Sequence, residues 1–188
     1  MIRRTWIPAV ALVCMLTAMV LLQSGSASRA ADAAAAGPIY AQLSSGMTQD
    51  PKGPTPLLVE MNSNDALGGL DHDLKAKTTD IIVKTAGVYF VVAAVQVGKE
   101  SGDAGDYMDV WVKQNGKDVD NSGCRQVIHD PKFTTVMVCQ GIAECKVGDV
   151  LQVAIAASTA GKGIGIKAIK PQGEPVIPSI IFSMYKIN

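Results

Sequence analysis

The chain has 188 residues, 48% of them apolar, with 17 basic and 17 acidic side chains and two histidines. A balanced charge with no basic patch set among aromatics makes nucleic acid and anionic lipid surfaces poor partners. The length suits one domain with a substantial core.

Residues 1–30 read MIRRTWIPAVALVCMLTAMVLLQSGSASRA: Arg3 and Arg4, an almost purely apolar run over 6–22, then small residues ending in Ser28-Arg29-Ala30. That order predicts a secretory signal peptide. The length of the apolar run also suits an uncleaved single-span anchor, the one route by which a membrane becomes a partner. Arg3-Arg4 reads as an ordinary basic start rather than a twin-arginine signal, and Cys14 lacks a lipobox before it. Cleavage after Ala30 removes three arginines and no acid, so the exported protein is mildly acidic.

Residues 31–56 are rich in Ala, Gly, Ser and Pro with few large apolar side chains. Such a segment buries too little surface to offset its ordering entropy, which predicts a flexible linker or loose arm. It also suits an arm that crosses to a neighbouring subunit through Ile39, Tyr40 and Leu43.

From residue 57 to the end, short apolar runs are divided by Gly, Asp, Asn and Pro. LLVEM, DIIVKT, VYFVVAAVQV, YMDVWVKQ, GKDVD, RQVI, TTVMVCQGIA, VLQVAIAA, GIGIKAI and PSIIFSMYKI all have strand length and strand residue types. No segment sustains a helical period with caps. About ten closely spaced strands predict an all-β protein, an antiparallel sandwich or jelly roll over 57–188. Asn115-Gly116 supplies the positive φ of a two-residue type I′ turn and sets Val112 opposite Val119. Lys146-Val147-Gly148-Asp149 predicts a second hairpin, between 134–144 and 150–157.

Several of these stretches together resemble the globular head of the C1q and tumour necrosis factor superfamily. They are Ala86-Gly87-Val88-Tyr89-Phe90, VWVKQNGKDVDNS, VGDVLQVAI and the closing PSIIFSMYKI, in the family's order and spanning residues 57–188. The resemblance implies a ten-stranded antiparallel jelly roll that associates around a threefold axis outside the cytoplasm. No third-residue glycine periodicity precedes the domain, so the resemblance is to a stand-alone member without a collagen stalk.

Both alternating faces of VYFVVAAVQV are apolar, Tyr89, Val91, Ala93 and Val95 on one and Phe90, Val92 and Ala94 on the other. A strand between core and water alternates with polar residues, so the second face needs a cover of its own. The resemblance implies neighbouring subunits as that cover, with Phe90, Val92, Ala94, Ile181, Ser183 and Tyr185 at a threefold interface. A loop or another strand of the same chain is the other candidate.

Cys124, Cys139 and Cys145 follow the leader, an odd number in an oxidising compartment. Pairing residues 125–128 with 135–138 sets Cys124 opposite Cys139 as a disulfide candidate and leaves Cys145 as a small core hydrophobe; a one-residue slip undoes this. Asp103, Asp106 and Asp109, with Glu100, lie in one glycine-containing loop and Asp71 and Asp73 flank His72 in another. These are the only calcium candidates and weak ones, since neither loop has the spacing of an EF hand; the expectation is solvated surface loops and no cofactor. His72 and His129 have no thiol or histidine neighbour at zinc spacing.

Ser44, Ser45, Ser122, Ser158 and Ser179 lack a nucleophile-elbow context. GKGIGIKA, residues 161–168, lacks the Walker spacing and the Ser or Thr after Lys162, and reads as a strand whose small residues admit a close backbone. No catalytic residue is therefore assigned. The functional expectation is a secreted, non-enzymatic, trimerising C1q-like module presenting loops to an extracellular protein or glycan; the alternative is a structural surface or coat protein whose role is trimer assembly.

Overall fold

Period-two apolar patterning dominates the chain, and the computed structural model, which describes residues 37–188, resolves it into thirteen strands and no helix. In chain order they are β1 (Tyr40–Ser45), β2 (Leu57–Leu58), β3 (Ser63–Gly68), β4 (Leu70–Asp71), β5 (Ile81–Val83), β6 (Gly87–Gly98), β7 (Tyr107–Gln114), β8 (Lys117–Asp118), β9 (Cys124–Val127), β10 (Thr135–Cys145), β11 (Val150–Ala157), β12 (Gly165–Ile166) and β13 (Ile180–Lys186). They form two antiparallel sheets. One runs β10-β6-β13-β1-β3 with β12 beside β6; the other runs β4-β5-β11-β7-β8 with β2 beside β11 and β9 beside β7. The all-β jelly-roll sandwich expected from the patterning is the fold observed, and each of the ten expected segments contains a strand.

The core lies between the inner faces. Tyr89, Val91, Ala93, Val95 and Val97 point inward from β6, Leu43 from β1, and Phe182 and Met184 from β13, against Met108 and Val110 of β7 and Leu151, Val153 and Ile155 of β11. Each large side chain removed from water here contributes roughly 1.5–3 kcal/mol. The Tyr89 hydroxyl, carried into the core with its ring, donates to the Thr85 carbonyl at 2.6 Å, which removes the cost of burying it unpaired.

Three local expectations are corrected. Residues 40–45, expected in a linker or arm, form β1, paired with β13 on one side and β3 on the other. Its inward residues Ala41, Leu43 and Ser45 are all buried in the chain's own core, so the segment is a central strand despite its small side chains. The 146–149 turn is present, with Gly148 at φ 88° and the Asp149 N–H donating to the Lys146 carbonyl at 3.1 Å, but it joins two sheets and not two paired strands. A tight turn reverses the chain; whether the flanking strands then pair is decided by which sheet each one's inward face completes. Finally, β9 pairs with β7 and not with β10, so the ladder expected between 125–128 and 135–138 does not form. Residues 1–30 of the expected leader, and 31–36 of the expected linker, lie outside the described residues.

The Asn115-Gly116 turn is as expected, with φ of 54° and 76° and the Val119 N–H donating to the Val112 carbonyl at 3.0 Å. It is also tied to the 146–149 turn. Asn115 Nδ2 donates to Asp149 Oδ1 at 2.8 Å, the Val150 N–H donates to Asn115 Oδ1 at 2.9 Å, and Gln114 Nε2 and the Lys146 N–H donate to Asp149 Oδ2, both at 2.8 Å. These bonds, the Lys146 N–H foremost and then Asn115 and Gln114, hold the Asp149 carboxyl below its ordinary range.

Candidate functional site

Strands β10, β6, β13 and β1 lie side by side, and their pairing fixes which outward residues meet. Ile142 sits opposite Phe90, which sits opposite Tyr185, which sits opposite Tyr40. The next outward row is Gln140, Val92, Ser183 and Gln42, and the third is Val138, Ala94, Ile181 and Ser44. The apolar side chains crowd toward β10 and β6, and the polar ones toward β1. The six residues Phe90, Val92, Ala94, Ile181, Ser183 and Tyr185 thus fall on one face, two strands wide, with the Phe90 and Tyr185 rings 5.5 Å apart at 49°.

Sequence reasoning missed the third strand of this face. On β10, Val136, Val138 and Ile142 are 60%, 49% and 67% exposed, more open than the β6 residues they adjoin. Their signal was present in TTVMVCQGIA, where Val136, Val138 and Ile142 alternate with the inward Met137 and Cys139 and only Gln140 interrupts the apolar outward row. With Ile181 40% and Tyr185 50% exposed, the patch is continuous across three strands, which a solvated sheet face rarely is.

Two of the calcium candidates, Asp106 and Asp109, are held by partners of their own. Asp109 points outward from β7 and receives Arg125 Nε and Nη2 at 2.7 and 2.8 Å. Asp106, expected in a solvated loop, is buried: it accepts from the Asp103 N–H at 2.7 Å, from Thr159 Oγ1 at 2.9 Å and from Ser158 Oγ at 3.2 Å, and Lys99 Nζ lies 3.7 Å away. Burial pushes its carboxyl up, but those hydrogen bonds and the Lys99 charge outweigh this and leave it below the ordinary range. The backbone of Asp103 completes the knot by accepting from Lys99 Nζ. Among the described residues no group of three His, Cys, Asp or Glu side chains converges as metal ligands. His72 is buried too, between Asn64 Oδ1 at 2.6 Å and the Thr78 carbonyl at 3.1 Å, which explains a histidine inside an acidic loop as a packing residue.

Cys124, Cys139 and Cys145 are all thiols. Although β9 and β10 do not pair, Cys139 Sγ lies 2.7 Å from the Ser122 carbonyl and Cys124 Sγ 3.7 Å from that of Val138, so the two side chains occupy one seam between the sheets. Burial, then the neighbouring Cys124, pushes the Cys139 thiol up to about 12. Cys145 is a buried thiol, as expected, pushed up to about 11 first by burial. The five serines hydrogen-bond to backbone, to carboxylates or to Gln49, and none has a histidine partner among the described residues. In GKGIGIKA, a Cβ on Gly165 would strike the Gln49 carbonyl and Asp50, the close backbone approach expected there.

No family model matches the chain, and no curated protein matches it. Among solved structures it is similar to murine APRIL at pH 5.0, with a TM-score of 0.54 and 13% identity over 80% of this chain and 100% of that one. Murine APRIL at pH 8.5 gives 0.53 and 14% over the same shares. APRIL is a jelly roll of the tumour necrosis factor superfamily, and the fold of this chain is of that C1q/tumour necrosis factor type.

Proposed function

We propose that this chain is exported and acts outside the cytoplasm as a non-enzymatic recognition module, a homotrimer built on the outer face of the β10-β6-β13-β1 sheet. The other sheet and its loops then face an extracellular or cell-surface ligand. The observation that carries this reading is the apolar patch itself: Ile142, Phe90 and Tyr185 in one row and Val138, Ala94 and Ile181 in another, with Phe90 and Ala94 half-buried and the other four exposed in the single chain. Covering it with two further copies removes that surface from water and closes the assembly, whereas a heterologous contact that fails to close makes fibres. The polar row of Gln140, Ser183 and Gln42 between the apolar rows supplies hydrogen bonds that fix the register of the contact. Export is supported by the charged, apolar and small segments of residues 1–30.

The test is the mass in solution. A trimer at micromolar concentration is the expected result, and a clean monomer there overturns the reading. Terminal sequencing of the exported protein, expected to begin after Ala30, tests the leader separately.

A further inference from the structure

The outer face of the other sheet carries an open depression of about 600 Å3 beside β7 and β9. Its wall is Trp111, which points outward from β7 while Met108, Val110 and Val112 point into the core. Across from Asp109 on β11 stands Ala156, which lines the depression together with Pro54, while Ala154, opposite Trp111, is fully buried. The indole Nε1–H is already committed, donating to Asp118 Oδ1 at 2.7 Å. What the ring has left for a ligand is its π face, the electron-rich side that attracts cations.

Most charges around the depression cancel in pairs. Asp109 is held by both arms of Arg125, which lies 3.7 Å over the Tyr107 ring, and Asp118 is paired with Lys113. Asp120 is the exception. It stands exposed on the rim, with no hydrogen-bond or ion-pair partner among the described residues, as does the Asn121 side chain next to it. The depression therefore presents one aromatic face, one uncompensated carboxylate and one amide oxygen, and it lies on the sheet opposite the apolar patch.

We propose that this depression takes the guanidinium of an arginine side chain from a partner polypeptide, an inference that rests on the recognition-module reading and names the chemistry of its ligand. A guanidinium stacks flat on an indole and forks onto a carboxylate in the same pose, which neither an ammonium nor a neutral side chain does. Removal of residues 1–30, part of the proposed export, takes away three arginines and no acid and so favours the approach of a cationic partner.

The test uses the full chain labelled with 15N at tryptophan, the indole signal of Trp111 being assigned by its loss in Trp111→Phe. Acetyl-Gly-Arg-Gly-amide is titrated against the same peptide carrying citrulline, the neutral isostere of arginine, and against maltotriose. The arginine peptide is expected to shift the Trp111 signal saturably, the citrulline peptide to bind about tenfold more weakly, and Asp120→Asn to weaken the arginine peptide about fivefold. No saturable shift, equal binding of the citrulline peptide, or unchanged affinity in Asp120→Asn overturns the inference; a shift by maltotriose alone does so by giving the site to a sugar. The solution mass of the same sample separates the two readings. A trimer without arginine binding sinks this inference alone, and a monomer that binds the arginine peptide upholds it while sinking the trimer.

Discussion

Cys124 and Cys139 share a seam between strands that belong to different sheets, so a bond between them would staple β9 to β10 where no ladder does. A thiol pushed up to about 12 does not attack as a thiolate, which leaves the half-buried Cys124 as the sulfur an oxidant reaches first. Air-oxidised protein is expected to weigh two hydrogens less than reduced protein, and closing a loop of this length to add about 3 kcal/mol. An unchanged intact mass after oxidation refutes the pairing. Asp149 offers a second test at this scale. Its folded carboxyl titrates below the unfolded one, so the stabilisation it brings is present above the unfolded value and is lost as pH falls through the folded one. Asp106 and Asp118 are shifted the same way and act in the same window. Urea midpoints are therefore expected to drop below about pH 4. Asp149→Asn is expected to cost about 1 kcal/mol at pH 7 and to flatten that acid limb, because it removes the carboxylate on which two turns converge.

At the scale of elements, the long expected strands carry β-branched or aromatic residues at period two, a signal set by local pleat geometry alone, whereas GKDVD, with Val119 its one apolar residue, was marked by the Asn115-Gly116 turn before it. The three strands that were missed lack it. β3 reads SNDALG and lies at a sheet edge with none of its residues buried; β4 is two residues long; β1 reads YAQLSS, with only Leu43 large on its inner face. β1 is a strand because β13 and β3 supply partners on both sides, a condition that its own composition does not contain. Its membership in the core has a direct test. Leu43→Ala is expected to lower unfolding free energy by about 2–4 kcal/mol in urea titration. A change below about 0.5 kcal/mol, the size of a surface substitution, would restore the loose-arm reading.

For the whole molecule, the question is what covers the outer face of the β10-β6-β13-β1 sheet. Ile142 stands 67% exposed at the apolar edge of that face and contacts solvent in the single chain, so a charge there costs the isolated fold little. In a trimer it is desolvated, and an unpaired ammonium becomes expensive. Ile142→Lys is expected to yield a folded monomer whose unfolding free energy lies within about 0.5 kcal/mol of that of a monomeric parent, with the change visible in sedimentation and not in circular dichroism. A trimer that survives this substitution unchanged places the contact elsewhere.

Turn chemistry and period-two patterning are local, so residues 57–188 announced strands, the Asn115-Gly116 hairpin and an all-β sandwich unaided. Phe90, Val92 and Ala94 were legible for the same reason, because a strand apolar on both sides declares that two surfaces need cover; Ile181, Ser183 and Tyr185 were named only by the resemblance. Burial and pairing are properties of distant segments brought together, and these the tertiary structure alone decided. It made β1 a central strand, sent the 146–149 turn from one sheet to the other and parted β9 from β10. It also buried Asp106 with Lys99 and left Asp120 free beside Trp111. A carboxylate has the same chemistry in either place; its partners determine whether it locks a loop or waits for a ligand.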